Sequence, residues 1–150
     1  MHLKIGDKAP ELNIKDQDGI VHSLADYKGK KIVLYFYPKD ATPGCTAQAC
    51  NLRDNHNQLK KAGYSIIGVS ADNENSHIKF IEKQNLNFPL LADTDKELIK
   101  RYGVWGEKKF MGKTYDGIHR TTFVIDENGI IENIITKVKT KDHAAQVLSA

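Results

Sequence analysis

Two cysteines are the residues of this chain best suited to covalent chemistry. Cys45 ends the stretch Pro38-Lys39-Asp40-Ala41-Thr42-Pro43-Gly44-Cys45, which directly follows the apolar run Ile32-Val33-Leu34-Tyr35-Phe36-Tyr37. Cys50 follows five residues later. A strand giving way to a helix here would set Cys45 in the first helical turn, among backbone N–H groups that lack intrahelical partners. Those groups and the positive end of the helix dipole favour thiolate over thiol, and the thiolate is the nucleophile. With a second thiol nearby, the pattern points to thiol redox chemistry.

The residues around Cys45 fit that reading. Thr42 is a capping residue, and Pro43 suits the first helical position because it has no N–H to leave unpaired. Gly44 lets another group come close to the backbone. Pro38 stiffens the approach from strand to loop. The plainer alternative is that Thr-Pro-Gly merely starts a helix and Cys45 fills space, since free cysteines are commonly buried. A reactive thiolate also needs a cation that stays charged, and arginine supplies one. Of the three arginines, Arg53 lies eight residues beyond Cys45, too far along the same helix to reach the sulfur. Arg101 sits in a charged helical segment and reads as solvated. Arg120 opens a buried strand and could aim across the sheet end, a choice that the sequence alone leaves open.

The elements needed to position these residues are legible. Leu12-Asn13-Ile14 and Ile20-Val21-His22 flank an Asp18-Gly19 turn and read as a hairpin. Strands are expected over 31–37, 65–69, 88–91, 121–125 and 130–138. Helices are expected over 43–62, 76–84, 96–102 and 141–150, with Ile78, Phe80 and Ile81 turned inward on the second. Strands alternating with helices, closed by an antiparallel hairpin, imply an α/β fold with a central mixed sheet flanked by helices. This is the pattern of a thioredoxin-like fold with an N-terminal β-hairpin extension.

Size and composition narrow the function classes. At 150 residues the chain is expected to form a single domain, 1–150. Two cysteines are too few for a secreted disulfide scaffold, and no Cys/His spacing fits zinc, so no metal or cofactor is expected. The net charge of +3 comes from interleaved charges with no long basic run, which argues against nucleic acid as a partner. The longest apolar run, Ile32 to Tyr37, is far too short to span a membrane. The N-terminus shows no secretion signal, so a cytoplasmic protein is expected. His56 reads as packed, and Asp93 and Asp95 as turn and cap residues. Trp105 and Phe110 read equally as pocket wall or loop packing.

Taken together these motifs match a family. The chain resembles the peroxiredoxins, specifically the bacterioferritin comigratory protein or Q-type subgroup. The resemblance is carried by Pro38, Thr42 and Cys45, by Gly103-Val104-Trp105-Gly106-Glu107-Lys108, by Met111-Gly112-Lys113-Thr114-Tyr115, and by Gly117-Ile118-His119-Arg120. It implies a thiol-dependent peroxidase acting on hydrogen peroxide and organic hydroperoxides. Cys45 would be the peroxidatic cysteine and Cys50 the resolving one. Thr42 and Arg120 would orient the thiolate and polarise the peroxide, with Pro38 shielding the pocket. The implied partner is thioredoxin or a similar dithiol reductant, and the implied state is a monomer. Gln48 stands where many relatives carry Glu, which leaves open how Arg120 is oriented. The rival readings are a thiol–disulfide oxidoreductase, which would want Cys-x-x-Cys rather than this Cys-x-x-x-x-Cys, and a redox sensor or holdase built on the same Cys45–Cys50 switch.

Overall fold

A computed structural model describes residues 2–149. The first strands, β1 (Ile14–Lys15) and β2 (Val21–His22), pair antiparallel as the expected hairpin. After the short 3-10 turn Leu24–Tyr27 come β3 (Lys31–Phe36), α1 (Pro43–Asp54), α2 (His56–Lys61), β4 (Tyr64–Ser70), α3 (Glu74–Gln84), β5 (Leu90–Ala92) and α4 (Glu97–Arg101). The chain then forms β6 (Trp105–Phe110), β7 (Lys113–Ile118), β8 (Thr121–Ile125), β9 (Ile131–Ile135) and α5 (His143–Leu148). Ala150, the end of the expected last helix, and Met1 lie outside the described residues.

The central sheet has the order β5-β4-β3-β8-β9. Strands β3, β4 and β5 run parallel, and β8 pairs antiparallel with both β3 and β9. β3 is covered on both faces, which is why its sequence is one apolar run rather than an alternation. Ile32, Leu34 and Phe36 enter one core with Leu98, Tyr102 and Phe123. Val33, Tyr35 and Tyr37 enter the other with Cys45, Ala49, Leu52, Phe80 and Val147. The helices thus flank a mixed sheet, as expected of a thioredoxin-like fold.

Three departures from the expected elements have local causes. The helix expected over 43–62 is two helices, because Asn55 breaks it at φ −104°, ψ 15°. Its side-chain amide donates to the Asn51 carbonyl at 2.8 Å, in competition with the helical ladder. α3 begins two residues before the expected start, where the Asn73 side chain caps the amide of Ser76. Its inward residues are His77 and Phe80, while Ile78 and Ile81 are only partly buried. The segment 105–118, read only as a motif, is the two-stranded β6–β7 ribbon. Met111 and Gly112, at φ 51° and 78°, make its turn, and a two-residue loop with both φ positive matches the strand twist.

Candidate active site

Pairing of β3 with β8 explains how residues 75 positions apart meet. Phe36, the last residue of β3, pairs with Thr121, the first residue of β8. The loop leaving β3 toward α1 therefore starts at the same sheet end at which Arg120 enters β8. Arg120 Nη2 donates to Cys45 Sγ at 3.3 Å, and Nη1 donates to Gln48 Oε1 at 2.6 Å. Gln48 is fully buried one turn beyond Cys45 and fixes the fork that faces the sulfur. A Cβ added to Gly44 would lie 3.3 Å from Nη2, so the missing side chain admits the guanidinium.

Cys45 is the third residue of α1 and only 1% exposed. The Thr46 amide makes the first helical bond, to the Thr42 carbonyl at 2.8 Å, leaving the preceding amides outside the ladder. Thr42 holds the N-cap backbone position, at φ −76° and ψ 155°. Its side chain does not cap the helix as expected. The hydroxyl instead donates to the Lys39 carbonyl at 2.9 Å, because the loop folds back beneath it. Pro38 is half-buried in the loop just beyond β3. Ala41 takes a left-handed φ of 64°, a conformation that costs an L-residue about 1 kcal/mol and needs its neighbours to hold it.

Cys50 lies half-buried on the same helix, and its Sγ donates to Gln84 Oε1 at 3.5 Å. Both thiols are free. On an intact helix residues five apart have Cα atoms about 8.6 Å apart, beyond the ~7 Å reach of a disulfide. The structure therefore brings Cys45, Arg120 and Thr42 to one helix start and holds Cys50 apart. Arg53 stays away from the sulfur and donates to the Gln84 carbonyl at 2.5 Å. Arg101 is not simply solvated as expected: it ties down the carbonyls of Glu11 and Leu12.

Further side chains shape the site without having been singled out. Lys108 and His119 line a 450 Å³ cavity together with Arg120, the residue that reaches the Cys45 sulfur. Burial first, then the charge of Arg120, lowers the Lys108 pKa, while Cys45 opposes that shift. Lys108 Nζ donates to the Ile118 carbonyl at 2.9 Å, which fixes it against the ribbon. The only cue in the sequence was that Lys108 falls within the second motif. Tyr35 is fully buried in the core that holds Cys45, and its hydroxyl has no protein partner. Burial pushes its phenol well above the usual value, with the charges of Cys45 and Asp40 adding to the effect, so it remains an O–H. A larger 560 Å³ pocket, lined by Asn13, Asp93 and Glu97 among others, holds neither cysteine. Phe110 is 66% exposed at the ribbon tip, whereas Trp105 packs on the core under Lys96.

This arrangement has two parts of a thiolate nucleophile: a sulfur at a helix start and a guanidinium held against it. The AhpC/TSA family profile matches residues 5–134. Peroxiredoxin Bcp of Escherichia coli K12 is 52% identical over 147 residues, covering 98% of this chain and 94% of that protein. Peroxiredoxin Bcp of Bacillus subtilis is 51% identical over 148 residues, covering 99% and 94%. Among solved structures, a cysteine-to-serine mutant of PrxQ from Xylella fastidiosa superposes with a TM-score of 0.90 at 34% identity, covering 99% of this chain and 95% of that one. A Xanthomonas campestris peroxiredoxin Q mutant gives 0.84 at 38% identity, covering 91% and 87%. Matched along nearly its full length, the chain belongs to the AhpC/TSA family, in its Bcp/Q-type peroxiredoxin branch.

Proposed function

We propose that this chain is a thioredoxin-dependent peroxidase of the atypical two-cysteine type, with Cys45 as the peroxidatic and Cys50 as the resolving residue. Thiol peroxidase chemistry is the activity its family membership supports. The observation that carries the residue assignment is the Arg120 guanidinium, held by Gln48 and aimed at the buried Cys45 sulfur.

The reaction begins when the Cys45 thiolate attacks one oxygen of a hydroperoxide. The O–O bond breaks, an S–O bond forms, and Cys45 becomes a sulfenic acid. The departing oxygen leaves as hydroxide or alkoxide and takes a proton to become water or alcohol. Arg120 and the first amides of α1 stabilise the charge developing on oxygen. The Thr42 hydroxyl, turned from the Lys39 carbonyl toward the substrate, adds a donor, and Pro38 keeps water from the pocket.

The Cys50 thiolate then attacks the sulfenic sulfur. Hydroxide leaves and an intramolecular disulfide forms. Because α1 keeps the two cysteines out of bonding range, its first turns must unwind, breaking the contacts to Arg120 and Gln84. An external dithiol attacks the disulfide, forms a mixed disulfide, and completes the exchange with its second thiol. The enzyme regains both thiols and the reductant leaves as a disulfide.

We place its action in a reducing compartment, the cytoplasm, where two free thiols persist, and read the 150-residue chain as a single domain and a monomer. The test is hydrogen peroxide consumption driven by reduced thioredoxin. Turnover that disappears in Cys45→Ser supports the peroxidase. Reversible oxidation of Cys45 without turnover marks a redox sensor instead.

A further inference from the structure

The loop that presents Cys45 is tied to α3 by a buried polar cluster that the reaction does not use. Asp40 is 6% exposed and His77 fully buried. Asp40 Oδ1 accepts the Tyr37 hydroxyl at 2.5 Å, and Oδ2 accepts the Ser76 hydroxyl at 2.8 Å. The same Oδ2 meets His77 Nδ1 at 2.7 Å. The Asp40 amide donates to Asp72 Oδ2 at 2.8 Å, and Ser70 donates to that oxygen as well.

His77 Nε2 lies 2.9 Å from the Leu91 carbonyl, and a carbonyl only accepts, so Nε2 carries a hydrogen. A neutral imidazole would then turn a lone pair from Nδ1 toward a carboxylate oxygen, which also only accepts. A 2.7 Å approach requires a hydrogen between them. That hydrogen joins the His77 ring to the Asp40 carboxyl group. Burial keeps the Tyr37 phenol well above its usual value, so Tyr37 stays a donor and supplies no competing charge. The other charged groups facing the pair are Asp72 and, lining the pocket shared with Asp40, Lys79 and Lys83. Asp40, Asp72 and His77 offer ligand atoms within 4.8 Å of one another. The hydrogen-bonded approach of His77 to Asp40 leaves no space for an ion between them, so the cluster is built as a tie.

What the tie holds follows from its place in the chain. Asp40 precedes Ala41, whose left-handed backbone must be held in place. At the other end of the same segment, Gln84 of α3 accepts Cys50 Sγ and Arg53 Nη1. α3 therefore braces the stretch 40–53 at both ends, and this stretch must move before the two sulfurs can join. We propose that the proton-sharing Asp40–His77 pair is a latch holding the Cys45 loop in its reduced conformation, which makes His77 a positioning residue that sets how fast Cys45 sulfenic acid reaches Cys50. This inference rests on the peroxidase reading and on resolution by Cys50.

The latch makes a kinetic demand. A sulfenic acid waiting at Cys45 either meets Cys50 or reacts with a second peroxide to give sulfinic acid. A weaker latch favours the first outcome. The test compares the wild type with His77→Leu, His77→Asn and Ser76→Ala. Each reduced protein is mixed with hydrogen peroxide, quenched over time, and its sulfenic, disulfide and sulfinic forms are counted by mass spectrometry. His77→Leu should form the disulfide about tenfold faster, the scale of one lost charge-assisted hydrogen bond, with less sulfinic acid at excess peroxide. His77→Asn keeps a side-chain N–H directed at Asp40 and should stay near the wild type, a rescue that loss of packing alone would not give. Ser76→Ala, at a half-buried position, should shift in the same direction by a smaller factor, and it reads the latch even if His77→Leu does not fold. Unchanged disulfide rates in the folded variants, or His77→Asn as fast as His77→Leu, overturn the latch alone. A wild type whose Cys45 resists peroxide, or never bonds to Cys50, overturns the peroxidase reading and the latch with it.

Discussion

Removing the guanidinium from Cys45 tests the electrostatics of the site. Arg120 Nη2 lies 3.3 Å from Sγ. Two unit charges at that separation attract by roughly 5 kcal/mol at an effective dielectric near 20. The sulfur is 1% exposed, so salt screens the pair weakly. Part of the attraction offsets the cost of keeping the guanidinium out of water, so the net effect should approach that of losing one preorganised donor in an active site. That is about 3–4 kcal/mol, or about 10²–10³-fold in rate. Arg120→Met should slow the reaction of reduced protein with hydrogen peroxide by that factor, measured under single-turnover conditions. Arg120→Lys keeps a charge but lacks the fork that serves Gln48 and Cys45 together, so it should lose only about tenfold. An Arg120→Met protein reacting within threefold of the wild type would show that the sulfur does not depend on this cation. A lysine variant as slow as the methionine one would remove charge as the explanation.

Cys50→Ser should leave the first peroxide reaction intact and abolish recycling by a dithiol through the intramolecular bond, so that sulfinic acid accumulates at Cys45; sustained turnover with thioredoxin would contradict this. Gly44→Ala puts a Cβ 3.3 Å from Arg120 Nη2 and should push the guanidinium off the sulfur by a few tenths of an ångström. The peroxide rate should fall severalfold with an unchanged melting midpoint, and an unchanged rate would argue against the close approach. His143 gives a pH test. Its Nε2 lies 2.8 Å from the Thr122 hydroxyl, and its Nδ1 donates to Gln146 Oε1 at 2.8 Å. Burial lowers its pKa, and the charge of Arg120 acts in the same direction against the Gln146 contact. Below about pH 6.5 the unfolded chain binds a proton that the fold refuses, so stability falls as pH drops from there toward the folded value. His143→Gln should lose this component of the acid slope in denaturant titrations; equal slopes in variant and wild type would refute it.

The parts of the fold written as periodicity could be read directly. Val33, Tyr35 and their neighbours spell a strand buried on both faces, and Thr42-Pro43 marks the helix start. Side-chain bonds that compete with the backbone were harder to see. Asn55 splits α1 from α2 through its own amide, and the Thr42 hydroxyl serves Lys39 rather than the helix, although both residues look ordinary in sequence. Seven of the twelve residues in β6 and β7 are exposed and five are charged, so the ribbon lacks the apolar alternation that announces a strand. Arg120 was one candidate of three until the antiparallel β3–β8 register put the start of β8 beside the cysteine loop. His77 shows the same limit, because its role comes from Asp40, 37 residues earlier, and no spacing rule links them.

The measurement closest to the centre of this account is the mass of the reduced chain before and after one equivalent of hydrogen peroxide, with peptide mapping of the product. The account predicts the loss of two hydrogens and a single linked peptide pair, Cys45 to Cys50 within one chain. A chain that stays fully reduced, or that gains oxygen only at a residue other than Cys45, contradicts it.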